Sequence, residues 1–401
     1  VWDDLTEYIS TIDYLKFLIS DDTVRGYAKD RPKEEDGRII VDLTKPHILE
    51  DMDFFRERAL FFEKNGKYTN LPVNSNPKSE YAAFWKEELR RWKYGLVRES
   101  DGEWIPGELY FYWNYAPIWL VENKEGSKQG KAVRKFPKPW DGDYLFHHYI
   151  NQCKINGKHA KLLKARGVGM SFKAASWSPH NMYTQPGSRN VNYHLATDKT
   201  FLSGDKGIFG KVMDCLDWIG EHTPFPRLRI KDSKASMEIQ IGYTDDYGAR
   251  KGLLSSVIGI SMKDNPEKVR GVRGVLCHFE EDGLFPNLLT TWSVNRPGFE
   301  DGGVAFGLMI AAGTGGTAGT SFEGSEKLFY QHDAYNVYGI PNVFDKNVGG
   351  TTTCGYFWGA YMNRNLCYEG VNGTSDIIKA MINSIGNNPN YKRSPKCFLK
   401  I

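Results

Sequence analysis

Two periodicities divide the chain. Over the first hundred residues apolar positions recur at helical spacing, in Leu15, Leu18 and Ile19 and again in Phe84, Leu89, Trp92 and Leu96, within a charged background. Polar, proline-bearing stretches at 31–38 and 70–79 interrupt them as connectors. The pattern predicts helices laid around another body, a helical N-terminal appendage over residues 1–105. From about residue 158 it changes to short apolar runs at 161–165, 191–196, 237–241, 254–259, 275–279 and 307–312, separated by helical stretches and glycine-rich turns. Strands alternating with helices predict an α/β core, with a mainly parallel central sheet flanked by helices, assigned to residues 106–345. After a last apolar run at 337–343 the chain becomes rich in Asn and Gly, so 346–401 reads as an extension or linker.

Composition narrows the classes. With 401 residues, of which 40% are apolar and 25% charged, the chain has enough material for a substantial core. The 52 basic and 49 acidic side chains nearly cancel, which excludes a protein that coats nucleic acid by charge alone and leaves only local contact. The longest weakly polar runs, 111–121 and 304–313, fall short of the roughly 20 residues that cross a bilayer, so no membrane partner is expected. The first residues carry no signal-peptide layout, and the six cysteines and nine histidines show no metal-ligand spacing. A cytosolic protein with reduced cysteines is expected.

The candidate chemistry begins at Lys164, Ala165, Arg166, Gly167, Val168, Gly169, Met170, Ser171, Phe172 and Lys173, between an apolar strand and a helical run. A P-loop needs that placement, because glycines let backbone amides curl around a polyphosphate and the following helix presents its positive end. The standard G-x-x-x-x-G-K-[ST] pattern keeps only Gly169 and Ser171, with Met170 where the lysine belongs. Three readings stand. Ser171 is a magnesium ligand with Lys164 or Arg166 supplying the cation; Met170 marks a weakened site; or the run is an ordinary strand-to-helix turn. Lys173, two residues into the helix, is expected to point away from any phosphate.

A second element follows at 275–283, an apolar strand ending in Glu280, Glu281 and Asp282. This is the Walker B arrangement, with Glu280 toward the metal and Glu281 as the base; a register shifted to Asp282, or a solvated acidic turn, is the alternative. The third is 308–316, where a buried strand enters a glycine turn at Thr314, a hydroxyl suited to sensing a γ-phosphate. In this order the three reproduce a P-loop NTPase of the ASCE type, in which an extra strand separates the two Walker motifs.

With these motifs in place the chain resembles the ATPase domain of the large terminase subunit of tailed bacteriophages, over about 107–369. The resemblance rests on the run 107–118, the deviant P-loop, Arg270 and Arg273 in the run 269–274, the run 279–287 and the run 312–317. It implies ATP and Mg2+ as cofactors, Asn114 and Tyr115 as an adenine-side element, Arg166 as the loop arginine, and Glu280 and Glu281 as the Walker B pair. It further implies a coupling motif at Gly313, Thr314 and Gly315, and Arg270 and Arg273 as arginine-finger candidates. Double-stranded DNA, a portal protein, a small terminase subunit and a homo-oligomeric ring on the capsid are the implied partners, in the cytoplasm of an infected bacterium and transiently on the procapsid. After residue 361 only Glu369 and Asp376 remain as acids, too few for a two-metal nuclease site. The stretch 122–139, with Lys124, Lys128, Lys131, Arg134, Lys135 and Lys138, is either a solvated loop or a contact for DNA phosphates. A structural nucleotide- or DNA-binding module and a helicase-like translocase are the competing functions.

Overall fold

A computed structural model describes residues 41–122, 131–204, 207–263, 265–314, 320–344, 352–359 and 362. Its centre is an eight-stranded sheet of β1 (Ala160–Lys164), β2 (Val191–Ala196), β3 (Arg229–Ser233), β4 (Glu238–Ile241), β5 (Ser256–Ser261), β6 (Leu276–Glu280), β7 (Leu308–Thr314) and β8 (Tyr356–Trp358). The strand order is β8-β1-β7-β6-β2-β5-β4-β3. Strands β8 to β5 run parallel, and β4 and β3 add antiparallel at one edge. As expected from the motif order, β7 separates the P-loop strand β1 from the acidic strand β6.

The central strands are buried along their length, as a parallel sheet covered on both faces requires. Alternation assigns their side chains to two layers. Leu276, Leu308 and Ile310 join one apolar cluster, whereas Cys277, Phe279, Met309 and Ala311 join another with Leu288, Trp292 and Leu328. The first layer is built by α1 (Glu57–Asn65), α2 (Glu80–Tyr94), α3 (Gly107–Tyr115), α4 (Asp141–Ile155), α5 (Met170–Thr184) and α6 (Ile208–His222); the second by α7 (Leu288–Asn295) and α8 (Thr320–Tyr330).

Three boundaries differ from the sequence reading. The helix carrying Phe84, Leu89 and Trp92 stops at Tyr94, because Gly95 at φ 87 caps it, and Leu96 begins a short strand, Leu96–Arg98, paired with Glu103–Ile105. Residues 41–105 are not set apart from the core: Leu49, Phe55, Trp85 and Trp92 belong to the same apolar cluster as Leu162 and Trp358. The positions Leu15, Leu18 and Ile19 lie outside the described residues. Beyond residue 345, β8 completes the sheet beside β1, with Trp358 fully buried, so this part of the supposed linker is core.

Candidate active site

The parallel strands bring the candidate loop and the candidate acids to the same end of the sheet. β1 ends at Lys164, and Ala165 donates its N–H to the Trp358 carbonyl at 3.0 Å before the chain turns. Arg166 and Gly167 form an exposed tip, and Gly167 and Gly169 hold φ of 80 and 69, the left-handed region that the turn into α5 demands. Among the described residues, the backbone N–H groups of 166–171 find no hydrogen-bond partner. A row of unpaired amides at a helix N-terminus is a ready set of donors to anionic oxygen.

The loop is held from inside. Val168 and Met170 are buried in the core cluster, so Met170 serves packing and has left the position from which a lysine would face phosphate. Lys173 does point away from the mouth of the site, and it is fully enclosed. Its Nζ donates to the Val168 carbonyl at 2.5 Å, meets Asp143 Oδ1 of α4 at 2.9 Å, and lies over the rings of Tyr112, Trp140 and Trp358. Asp143 is steadied by the Trp113 indole N–H at 3.1 Å. Burial pushes the Lys173 ammonium down and the Asp143 carboxyl up, each partly offset by its partner.

Across the sheet, Ser171 at the start of α5 donates its hydroxyl to Glu280 Oε1 at 2.5 Å. Glu280 is mostly buried, and that burial raises its pKa against the opposing pull of the Ser171 hydrogen bond. The next residue, Glu281, sits at φ 51 and ψ 59, a left-handed conformation that costs a non-glycine residue about 1–3 kcal/mol and concentrates at functional sites. Its two oxygens are used differently: Oε1 faces Lys164 Nζ at 3.4 Å and Oε2 accepts the Thr314 N–H at 3.3 Å. Ser171, Glu280, Glu281, Lys164 and Thr314 therefore meet in one place. Gly315 lies outside the described residues.

Asp282 turns the other way. It is fully buried, paired with Lys161 of β1, and accepts the Ser325 hydroxyl of α8 at 2.9 Å. The register with Glu280 and Glu281 facing the loop is thus the observed one.

Asn114 and Tyr115 are not at the site. Asn114 is wholly buried, its amide accepting from the Ala59 N–H at 3.0 Å and donating to the carbonyls of Phe55 and Tyr110, while the Tyr115 hydroxyl donates to Glu88 Oε2 at 2.7 Å. These bonds join α3 to the N-terminal helices and leave no edge for an adenine ring. Arg270 is exposed and paired with Glu267, and Arg273 stacks on Phe306 at 4.9 Å, at the end where β6 begins. Glu280 is where that strand ends, and β6 itself spans roughly 13 Å, so one chain does not bring the two arginines to its own acids. Of the basic stretch, Lys124 and Lys128 lie outside the described residues; 131–135 forms a strand paired with 118–122, and Arg134 is spent on α6, over the Trp218 ring at 4.9 Å and donating to the Asp214 carbonyl.

Two participants escaped the sequence reading. Lys211 of α6 lies with Nζ 4.9 Å from the Phe172 ring centroid, and its charge favours ionisation of Glu280 while burial lowers its own pKa. His278, two residues before Glu280 and therefore on the same face of β6, is fully buried behind that carboxylate. Lys211 has no motif to announce it, but a histidine inside an otherwise apolar strand was a visible signal, since a buried polar group needs partners.

The donors at the mouth are hard oxygens. Among the described residues no cluster of three or more His, Cys, Asp or Glu side chains forms a metal cage. Mg2+ is commonly held by one or two protein oxygens plus substrate phosphates and water, and Ser171 with Glu280 fits that donor set.

No family model matches the chain, and no curated protein matches it. Its fold is similar to two solved structures of the large terminase ATPase domain of Thermus phage P74-26. One is an arginine-to-alanine mutant, at 13% identity and a TM-score of 0.38 over 61% of this chain and 90% of that one; the other is the unsubstituted domain, at 14% identity and 0.39 over 58% and 84%.

Proposed function

We propose that this chain is an ATP-hydrolysing P-loop domain of the ASCE type, the motor domain of a viral large terminase that drives double-stranded DNA into a procapsid. The observation that carries the hydrolytic reading is the meeting of the Ser171 hydroxyl, the Glu280 carboxylate and the doubly held Glu281 beside a row of unpaired loop amides. In this reading the amides of 166–171 bind the polyphosphate, and Lys164 and Arg166 supply positive charge that Met170 cannot. Ser171 and Glu280 hold Mg2+, which when bound neutralises phosphate charge. Glu281 takes the proton of the attacking water, oriented by Lys164 and the Thr314 amide. The DNA, portal, small-subunit and ring assignments, and the location on a procapsid in an infected cell, rest on the sequence resemblance.

A catalytically weakened nucleotide- or DNA-binding module is the second reading, favoured by one observation: Met170 is packed in the core and leaves the loop without its usual lysine. Steady-state ATP turnover with and without duplex DNA divides the two. Turnover that depends on Mg2+ and rises with DNA supports the motor; nucleotide binding without turnover supports the module.

A further inference from the structure

Behind Glu280 runs a line of buried polar groups that the proposed reaction does not use. His278 is fully enclosed, with Nε2 3.5 Å from Glu280 Oε2, and among the described residues that nitrogen makes no hydrogen bond. Its Nδ1 lies 3.4 Å from Nδ1 of His194 on β2, and His194 Nε2 lies 2.8 Å from the Ser178 hydroxyl of α5. The line leaves Glu280 and ends at Ser178, on the same helix α5 whose Ser171 donates to Glu280 from the other side.

The chemistry of each atom fixes the protons. An ionised Glu280 only accepts, so the nitrogen facing it is Nε2–H. His278 Nδ1 is then bare and accepts from His194 Nδ1–H, which leaves His194 Nε2 bare to accept from the Ser178 hydroxyl. Every donor points toward Glu280 with none left over. Both rings are fully buried, so the line is closed off from solvent. An orphaned buried nitrogen is expensive, and a small rotation of the Glu280 carboxylate satisfies it.

We propose that His278 is a positioning residue for Glu280: its Nε2–H fixes the rotation of the carboxylate from behind, while His194 and Ser178 aim the ring. This rests on the reading of Glu280 as the metal-facing acid. Partners of this kind behind a ligand alter metal affinity by about 10- to 100-fold when removed.

The test compares two amides. In His278→Gln the side-chain NH2 reaches the position of Nε2, whereas in His278→Asn the side-chain oxygen takes the place of Nδ1, accepting from His194 Nδ1–H, and the NH2 stops short of Glu280. Free Mn2+ is followed by electron paramagnetic resonance at a saturating non-hydrolysable ATP analogue, and analogue binding is measured separately without metal. Asn is expected to weaken Mn2+ binding about 10- to 100-fold and Gln by less than about threefold, with metal-free analogue binding unchanged in both. Equal effects of the two amides, or no effect of Asn, overturn the proposal and make His278 a packing residue. A tautomer measurement on the wild-type chain covers variants that fail to fold: nitrogen NMR, assigned through the Trp177 ring 6.0 Å away, should find Nε2–H at His278, and Nδ1–H overturns the proposal. Absence of metal-dependent analogue binding in the wild-type chain removes the nucleotide reading itself, a different failure from an intact wild type with an indifferent Asn variant.

Discussion

A glutamate held at φ 51 persists only where its surroundings over-determine it, and Glu281 is fixed by Lys164 on one oxygen and the Thr314 amide on the other. Glu281→Gln keeps the shape and removes the base, so turnover should fall by about 10²- to 10⁴-fold while nucleotide binding persists. A loss under about threefold in kcat, less than about 1 kcal/mol, rejects the assignment. Lys173 has a different weight. In Lys173→Met the Asp143 carboxylate is left buried without its cation, at a cost of about 3–5 kcal/mol by urea unfolding, and the double variant with Asp143→Asn should recover part of it. Equal losses in single and double variants would show that the pair is not coupled. The sequence placed Ser171, Glu280, Glu281, Lys164 and Thr314 at one site because strand ends and glycine turns are local signals. Asn114 was misplaced for a reason no local pattern contains: its amide is consumed by Phe55 and Ala59, more than fifty residues away. Lys211 reaches the site through helix packing alone.

Strand β7 meets the acidic turn so closely that side-chain size decides whether they fit. A Cβ at Gly313 would fall inside van der Waals contact of Asp282 Oδ1, in the network that also holds Lys161 and Ser325. Gly313→Ala should therefore cost about 1–3 kcal/mol in urea unfolding. At Gly283 the nearest neighbour is an ordinary 3.6 Å contact with Phe322, and Gly283→Ala should stay within about 0.5 kcal/mol. Similar losses at both positions would mean that the turn, and not the Asp282 contact, sets the cost. The central strands were legible because burial on both faces writes them as continuous apolar runs, and the run at 191–196 coincides with β2. Short elements were not. β8 has three residues in a tail of Asn and Gly, and the apolar run at 337–343 yields a single bridge from Val337 to His159 and the short strand Ile340–Pro341, paired with Thr353–Cys354. Three or two residues carry no periodicity; pairing partners make them strands.

Stability of the whole chain and its assembly are the properties furthest from any one motif. His147 and His194 are both fully buried, and burial lowers each from 6.5 to about 3. A depressed folded pKa means the unfolded chain takes up protons first, so stability present above pH 6.5 is lost as pH falls toward 3, at about 1.4 kcal/mol per unit for each group. The two together predict a loss of about 4 kcal/mol between pH 7 and pH 5, read from urea midpoints; a flat profile would mean that these rings are not held neutral. Assembly enters through the arginines. Arg270 and Arg273 are exposed and lie toward the end of β6 away from Glu281, so a finger role requires a neighbour's site. The loop gives a motive, since Met170 is buried and Lys173 is engaged beneath the backbone, which leaves less positive charge at the phosphates than a standard P-loop has. An arginine supplied in trans is worth about 10³ to 10⁵ in rate at a phosphoryl-transfer site. The isolated chain should thus hydrolyse ATP slowly and accelerate per chain as concentration brings copies into contact. Mixing Glu281→Gln chains, which keep their arginines, with Arg273→Ala or Arg270→Ala chains, which keep their base, should restore turnover that neither shows alone. The acting arginine is the one whose loss is rescued. A rate per chain that stays constant from dilute to concentrated protein, with mixtures no faster than the mean of their components, rules out a shared site.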